Sequence, residues 1–119
     1  MLNLLKPESE HSDNRRTLKQ LVTTDIKQVN AFKVTKGSIL GNHYHEKTYE
    51  YFYVMKGSFL VMIKNPGSLK ASSKILNKDS FFMVAPNTAH NLEALTNGEF
   101  MTFLTRPYSK IDKDTFLDE

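Results

Sequence analysis

From residue 29 onward, apolar and polar positions alternate in short runs divided by turn-forming residues. The runs cover residues 29–34, 38–45, 49–55, 58–64, 73–76, 81–84, 90–95 and 100–105. None is long enough to establish a helical period, and they recur about every ten residues. Eight strands at that spacing predict an all-β sandwich or barrel. The sharpest turn is Asn65-Pro66-Gly67, where Pro sets the first corner and Gly supplies the positive φ of a type II turn. The segment after it, 68–73, has little to bury and reads as an exposed loop.

The two ends differ in texture. Residues 1–20 are polar and irregular, with Pro7 followed by a charged run over 8–16. An edge strand or a helical turn is expected there only at 18–22. After Pro107 the chain turns polar again, which predicts a short helix or a loose tail. The expected division is an N-terminal arm (1–28), a β-barrel (29–105) and a C-terminal tail (106–119).

Composition narrows the class. A chain of 119 residues with 39% hydrophobic positions forms one domain around one modest core. There is no Cys, which excludes disulfides, thiol nucleophiles, Cys-ligated zinc and iron–sulfur clusters. The net charge is +3, and Arg15-Arg16 is the only adjacent basic pair. No basic patch or stripe is legible, so no nucleic-acid partner is expected. No run approaches the roughly 20 apolar residues of a membrane helix, and the opening seven residues are too soon polar for a signal peptide. The expectation is a cytoplasmic protein without a membrane partner.

The histidines are the most informative feature. His43 and His45 lie two apart in a strand-like run, so both rings leave one face. Glu50 opens the next run after a short turn, and a bend there would bring its carboxylate beside them. His90 opens a later run after Ala85-Pro86-Asn87-Thr88-Ala89. Imidazoles and a carboxylate converging from adjacent strands suit a borderline divalent ion. Taken alone, His-Tyr-His also reads as decoration of a half-exposed strand, with Glu50 and His90 unrelated to it. His11 lies in the arm and carries no assigned role.

The spacing Gly37, five residues, His43-x-His45, four residues, Glu50, six residues, Gly57 resembles the first motif of the cupin superfamily at every defined position. The second cupin motif is matched in part. Its proline turn and His correspond to Pro86 and His90, Asn87 stands at the turn glycine, Lys78-Asp79 lie near the missing leading Gly, and Ala94 occupies the terminal Asn position. The resemblance covers about residues 29–105. It implies a cupin-type double-stranded β-helix, a jelly-roll barrel, in which His43, His45, Glu50 and His90 bind one divalent metal ion. Zn, Fe, Mn, Ni or Co all suit that donor set. A cupin that keeps these residues without tightly bound metal is the competing reading.

Strand parity predicts the neighbours of the site. Ile39 and Gly41 share the face of His43, Phe52 and Val54 that of Glu50, and Leu92 and Ala94 that of His90. The site should therefore be a mostly apolar cup, suited to a small-molecule substrate. Tyr44, Tyr49, Tyr51 and Tyr53 fall on the opposite face, an interface candidate. The resemblance likewise favours a homodimer. Met55, Met62, Met83 and Met101 read as core filler.

The segment Asp13-Asn14-Arg15-Arg16-Thr17-Leu18 is similar to the opening of cupins that act on nucleotide sugars, with Arg16 in place of a Gly. That resemblance implies an isomerase or epimerase of a small carbohydrate or nucleotide-linked sugar. Arg15 or Arg16 would pair with the diphosphate, or form a solvated basic pair on the arm. The residues leave two other classes open: a metal-dependent dioxygenase and a non-catalytic small-molecule-binding module.

Overall fold

The computed structural model describes residues 2–118. In chain order its strands are β1 (Asn3–Leu4), β2 (Ser9–Ser12), β3 (Thr17–Gln20), β4 (Gln28–Val34), β5 (Ile39–Tyr44), β6 (Glu50–Lys56), β7 (Phe59–Lys64), β8 (Ser72–Leu76), β9 (Phe81–Val84), β10 (Ala89–Ala94), β11 (Gly98–Leu104) and β12 (Phe116–Leu117). Among the described residues there is no helix, and so none long and apolar enough to cross a membrane. One five-stranded sheet has the order β1-β9-β6-β11-β4, a second the order β12-β5-β10-β7-β8, and β2-β3 form a separate hairpin. This is the expected all-β jelly roll of cupin type.

Alternation explains the layering. On β6 and β7, Phe52, Val54, Phe59, Val61 and Ile63 are buried while their neighbours are partly exposed. On β11 the inward set is Phe100, Thr102 and Leu104. Phe52 stacks on Phe82 at 4.6 Å and Phe32 on Phe100 at 4.6 Å between ring centroids. Each such ring contributes about 1.5–3 kcal/mol through removal from water.

Four expectations need correction. Residues 9–20 form a hairpin rather than an irregular arm. The Asp13 carboxylate accepts from the backbone N–H groups of Arg15 and Arg16 and so closes its turn. Almost every residue of β2 and β3 is exposed, so no apolar period marked them. Residues 106–118 are not a loose tail. Phe116 and Leu117 pair with Tyr44 and His43 at the edge of the second sheet, and the Asp118 carboxylate reaches Lys64 Nζ at 2.7 Å.

The other two corrections concern facing. Ile39 is 59% exposed, whereas Leu40 packs against the core. The pairing of β5 with β10 slips at Asn42, so that His43 faces His90 but Gly41 faces Asn91. Gly41 and Asn42 take positive φ of 105° and 64° at this bulge. An extra residue reverses inward and outward positions upstream of it. The four tyrosines do not share one face either. Tyr44 belongs to the second sheet and packs on Phe116, while Tyr51 and Tyr53 on the first sheet pack on Phe81.

Two left-handed residues stand where the second motif departs from the family pattern. Asn87 has φ of 60° at the turn position and Asp79 has φ of 72° near the missing glycine. Asn and Asp are the side chains that tolerate this region best.

Candidate functional site

The two sheets bring His43, His45, Glu50 and His90 together. His43 lies near the end of β5 and His90 directly across from it on β10. His45 follows β5, and the turn over 46–48 hands the chain to the facing sheet, where Glu50 opens β6. One donor atom from each of the four residues falls within 4.8 Å of all the others. Ring centroids of His43 stand 5.2 Å from His45 and 4.6 Å from His90.

The carboxylate is the centre of the cluster. Glu50 Oε1 lies 3.1 Å from His45 Nε2 and 3.3 Å from His90 Nε2. On the far side of the rings, His45 Nδ1 lies 2.7 Å from the Asp114 carbonyl oxygen and His90 Nδ1 3.3 Å from that of Thr88. His90 Nε2 is fully buried, and its approach to Glu50 lacks hydrogen-bond alignment.

Burial and charge split the titration of these groups. Burial would raise the Glu50 pKa, but contacts from His45 and His90 outweigh it and hold the carboxyl at about 2. Burial and the neighbouring His90 push His43 down to about 4. Burial works against the charged form of His45 as well, yet Glu50 and Asp114 carry its pKa above the ordinary value. At neutral pH the cluster therefore contains an ionised carboxylate and a neutral His43, and the protonated form of His45 is favoured relative to a free imidazole.

Two cavities meet at this cluster. One of mixed lining, 230 Å³ in volume and more polar than its neighbour, opens past Asn30, His45, Arg106, Tyr108 and Asp114. An apolar one of 270 Å³ is walled by Leu40, Phe52, Leu92, Phe100 and Thr102. Phe32, His43 and Glu50 line both, so the two adjoin across these side chains. The Asn30 side-chain amide donates to Thr102 Oγ1 at 3.3 Å, and Gln28 Nε2 donates to Asn30 Oδ1 at 3.1 Å.

The pocket neighbours expected from parity divide. Phe52 and Leu92 line the apolar cavity. Val54 does not: it is completely buried in the core, two residues further along β6 than Phe52 and below the chamber floor. Ile39 faces outward because of the bulge. Arg15 sits exposed in the β2-β3 turn, paired with Asp13 at 3.3 Å, and lines neither cavity. The sequence reading missed Gln28, Asn30, Thr102, Arg106, Tyr108 and Asp114. Parity along 28–34 could have found the first two, because Gln28 and Asn30 share the face of Phe32 and Val34. No local pattern marks Asp114.

The Asp114 carboxylate accepts from the backbone N–H groups of Glu46, Lys47 and Thr48 and from the Thr48 hydroxyl. Partial burial opposes its ionisation, but these donors hold its pKa below the ordinary carboxylate value.

A metal ion fits this donor set. Donors about 2.1 Å from a common ion stand about 3.4 Å apart in a tetrahedral site and at most about 4.2 Å apart across an octahedral one, so the widest pair of this cluster, within 4.8 Å, would close inward on ligation. The buried His90 Nε2, without an aligned partner, is the kind of atom that ligation would satisfy.

Known structures share this architecture. A 3,4-ketoisomerase from Helicobacter canadensis superposes with a TM-score of 0.83 at 18% identity, over 98% of this chain and 90% of that one. A mutant 3,4-ketoisomerase, QdtA, from Thermoanaerobacterium thermosaccharolyticum, in complex with TDP-4-keto-6-deoxyglucose, gives 0.80 at 19% identity over 97% and 86%. The dTDP-4-dehydrorhamnose 3,5-epimerase from Sulfolobus tokodaii gives 0.76 at 23% identity over 91% and 72%. These likenesses establish the fold. No curated protein matches the chain in sequence. The family model for the polysaccharide biosynthesis C-terminal domain matches residues 11–116, which run from within β2 to the start of β12 and include the cluster, and the chain belongs to that family.

Proposed function

We propose that this chain is an isomerase or epimerase acting on a nucleotide-linked sugar, with His43, His45, Glu50 and His90 holding one divalent metal ion. The observation that carries the reading is where the cluster sits. Its ionised carboxylate and imidazoles stand where a cavity of mixed lining adjoins an apolar one. A deoxyhexose joined to a nucleoside diphosphate has the same division, with hydroxyls and phosphates on one side and a methyl group on the other. The ketoisomerases and the epimerase that share the fold support the same substrate class.

When bound, such an ion supplies Lewis-acid stabilisation to the oxyanion that forms beside a keto group on loss of a proton. The chain's own residues supply position and exclusion. Gln28 and Asn30 offer side-chain amides to sugar hydroxyls, with Asn30 held from behind by the buried Thr102 hydroxyl. Phe32, Phe52 and Phe100 keep water from the apolar cavity. Arg106 rather than Arg15 borders the cavity of mixed lining, so it is the guanidinium placed to meet a phosphate.

A second reading, acid–base catalysis by the cluster without an ion, is favoured by the opposite shifts of His43 and His45. An imidazole held neutral and one whose protonated form is favoured, 5.2 Å apart between ring centroids, are suited to act as acceptor and donor. One experiment separates the readings. Protein purified without a histidine tag is analysed for metal, stripped, and incubated with keto-deoxysugar nucleotides in deuterated water. Deuterium entering the sugar supports the isomerase class, and its dependence on restored metal supports the ion. Deuterium uptake undiminished by stripping selects the second reading, and no uptake from any such substrate sinks both.

A further inference from the structure

The C-terminal segment reaches the cluster through one residue. Asp114 accepts hydrogen bonds from the backbone N–H of Glu46 at 2.9 Å, of Lys47 at 3.1 Å and of Thr48 at 2.8 Å, and from Thr48 Oγ1 at 2.6 Å. These donors make up the turn that joins His45 to Glu50. The carbonyl oxygen of the same Asp114 lies 2.7 Å from His45 Nδ1. Thr115 Oγ1 is the other neighbour of that nitrogen, at a longer 3.4 Å. The segment is anchored on its far side as well. Phe116 and Leu117 pair with Tyr44 and His43, and the Asp118 carboxylate takes Lys64 Nζ at 2.7 Å and the Gly67 N–H at 3.0 Å.

We propose that Asp114 is a positioning residue for His45: its carboxylate clamps the 46–48 turn while its carbonyl anchors the ring through Nδ1–H. A carbonyl oxygen can only accept, so Nδ1 must carry the hydrogen. Nε2 is then the nitrogen turned to Glu50, 3.1 Å away, and into the chamber. The ionised Glu50 carboxylate also only accepts, so the Nε2 contact carries a hydrogen as well, and the Nδ1–H anchor fixes which nitrogen is turned to the chamber rather than which one is protonated. The consequence for catalysis rests on the function proposed above. The contact itself does not, because it sets which nitrogen faces the cluster whether an ion or a substrate is met there.

The test uses the full chain with ¹⁵N-labelled histidine, in metal-free buffer at neutral pH. Two-bond proton–nitrogen correlations report which nitrogens of His45 carry hydrogen, and exchange with solvent reports how firmly Nδ1–H is held. Wild type should show a protonated, slowly exchanging Nδ1. In Asp114→Ala the exchange of that proton should be about ten-fold faster, since more than one hydrogen bond of the clamp is lost. Asp114→Asn keeps an acceptor oxygen and should restore a rate near wild type. If Asp114→Ala does not fold, Thr48→Val removes one donor and should quicken exchange about five-fold. His11, on the remote hairpin, serves as the internal reference.

An unprotonated Nδ1 in wild type, or an unchanged His45 pattern in the folded variant, would overturn the proposal. So would a variant that loses stability while its His45 signals stay in place, since that is a structural role alone. Zinc titration and deuterium exchange on wild type test the functional reading separately. Their failure beside the expected His45 pattern removes that reading and leaves the contact, and the reverse combination removes the contact alone.

Discussion

Asn87 donates its backbone N–H to the carbonyl oxygen of His45 across 2.6 Å, tying together two stretches of chain more than forty residues apart. Asn87 holds φ of 60° to do so, at the turn that delivers His90 to the cluster. The bond fixes the height of one histidine-bearing segment against the other. Asn87→Gly keeps the turn and should leave stability within about 0.5 kcal/mol. Asn87→Val places a β-branched residue in the left-handed region and should cost about 1–3 kcal/mol, read as a lower urea midpoint with unchanged slope.

Removing His45 tests the cluster as a unit. His45→Ala leaves Glu50 buried with one hydrogen-bond partner fewer, which should destabilise the metal-free protein by about 3 kcal/mol. The variant should also lose stoichiometric metal, together with any rise in melting temperature that added metal gives wild type. Metal content equal to wild type would remove His45 from the ligand set.

Acid and base should destabilise the metal-free protein through different residues. His43 titrates at about 4 when folded and near 6.5 when unfolded, so the unfolded chain takes up the proton first. Stability should fall as pH drops from 6.5 towards 4. The shift corresponds to about 3 kcal/mol at most, and screening of the half-buried ring lowers this to about 1–2 kcal/mol. Glu50 continues the trend: its contribution is present above 4.5 and is lost as pH falls towards 2. His45 acts on the other limb. Its raised pKa stabilises the fold below 6.5, and that contribution disappears as pH rises through the folded value. Denaturant titrations across pH should give a dome whose acid limb begins at about 6.5 and whose alkaline limb begins above that. His43→Ala should flatten the limb between 6.5 and 4, and an unchanged limb would assign it to other groups.

Where the chain alternates with one face buried, the sequence carried the fold almost to the residue. The run expected at 81–84 is β9 itself, and that at 29–34 starts one residue late. Glu50, Phe52 and Val54 all face inward, as a period of two requires. Legibility failed where that physics is absent. β2 and β3 are exposed on both faces, so their pairing depends on the Asp13 turn and on cross-strand polar contacts that no apolar period announces. The bulge at Gly41-Asn42 moved Ile39 outward, because parity counts assume an unbroken ladder. Asp114 was invisible for another reason. Its role depends on a turn 66 residues upstream, and only the folded chain brings the two together.

The bulge also supplies the sharpest contrast between two glycines. Gly41 and Gly67 both hold positive φ, 105° and 77°, so a side chain at either is strained by the backbone alone. Their surroundings differ. A Cβ at Gly41 would stand 2.7 Å from the His90 carbonyl oxygen and 3.0 Å from the Asn91 Cα, both backbone atoms, whereas one at Gly67 would meet nothing within 4 Å. Gly67→Ala should therefore cost only the conformational strain, about 1–2 kcal/mol. Gly41→Ala must in addition push β10 away from β5, beside the point where His90 faces His43. A total of about 3–4 kcal/mol follows, together with displacement of the His90 ring. Urea unfolding measures the first effect, and histidine proton shifts in the metal-free protein measure the second. Equal costs at the two positions would mean that the strands separate easily at the bulge, and that the close packing of β5 on β10 does not hold His90 in place.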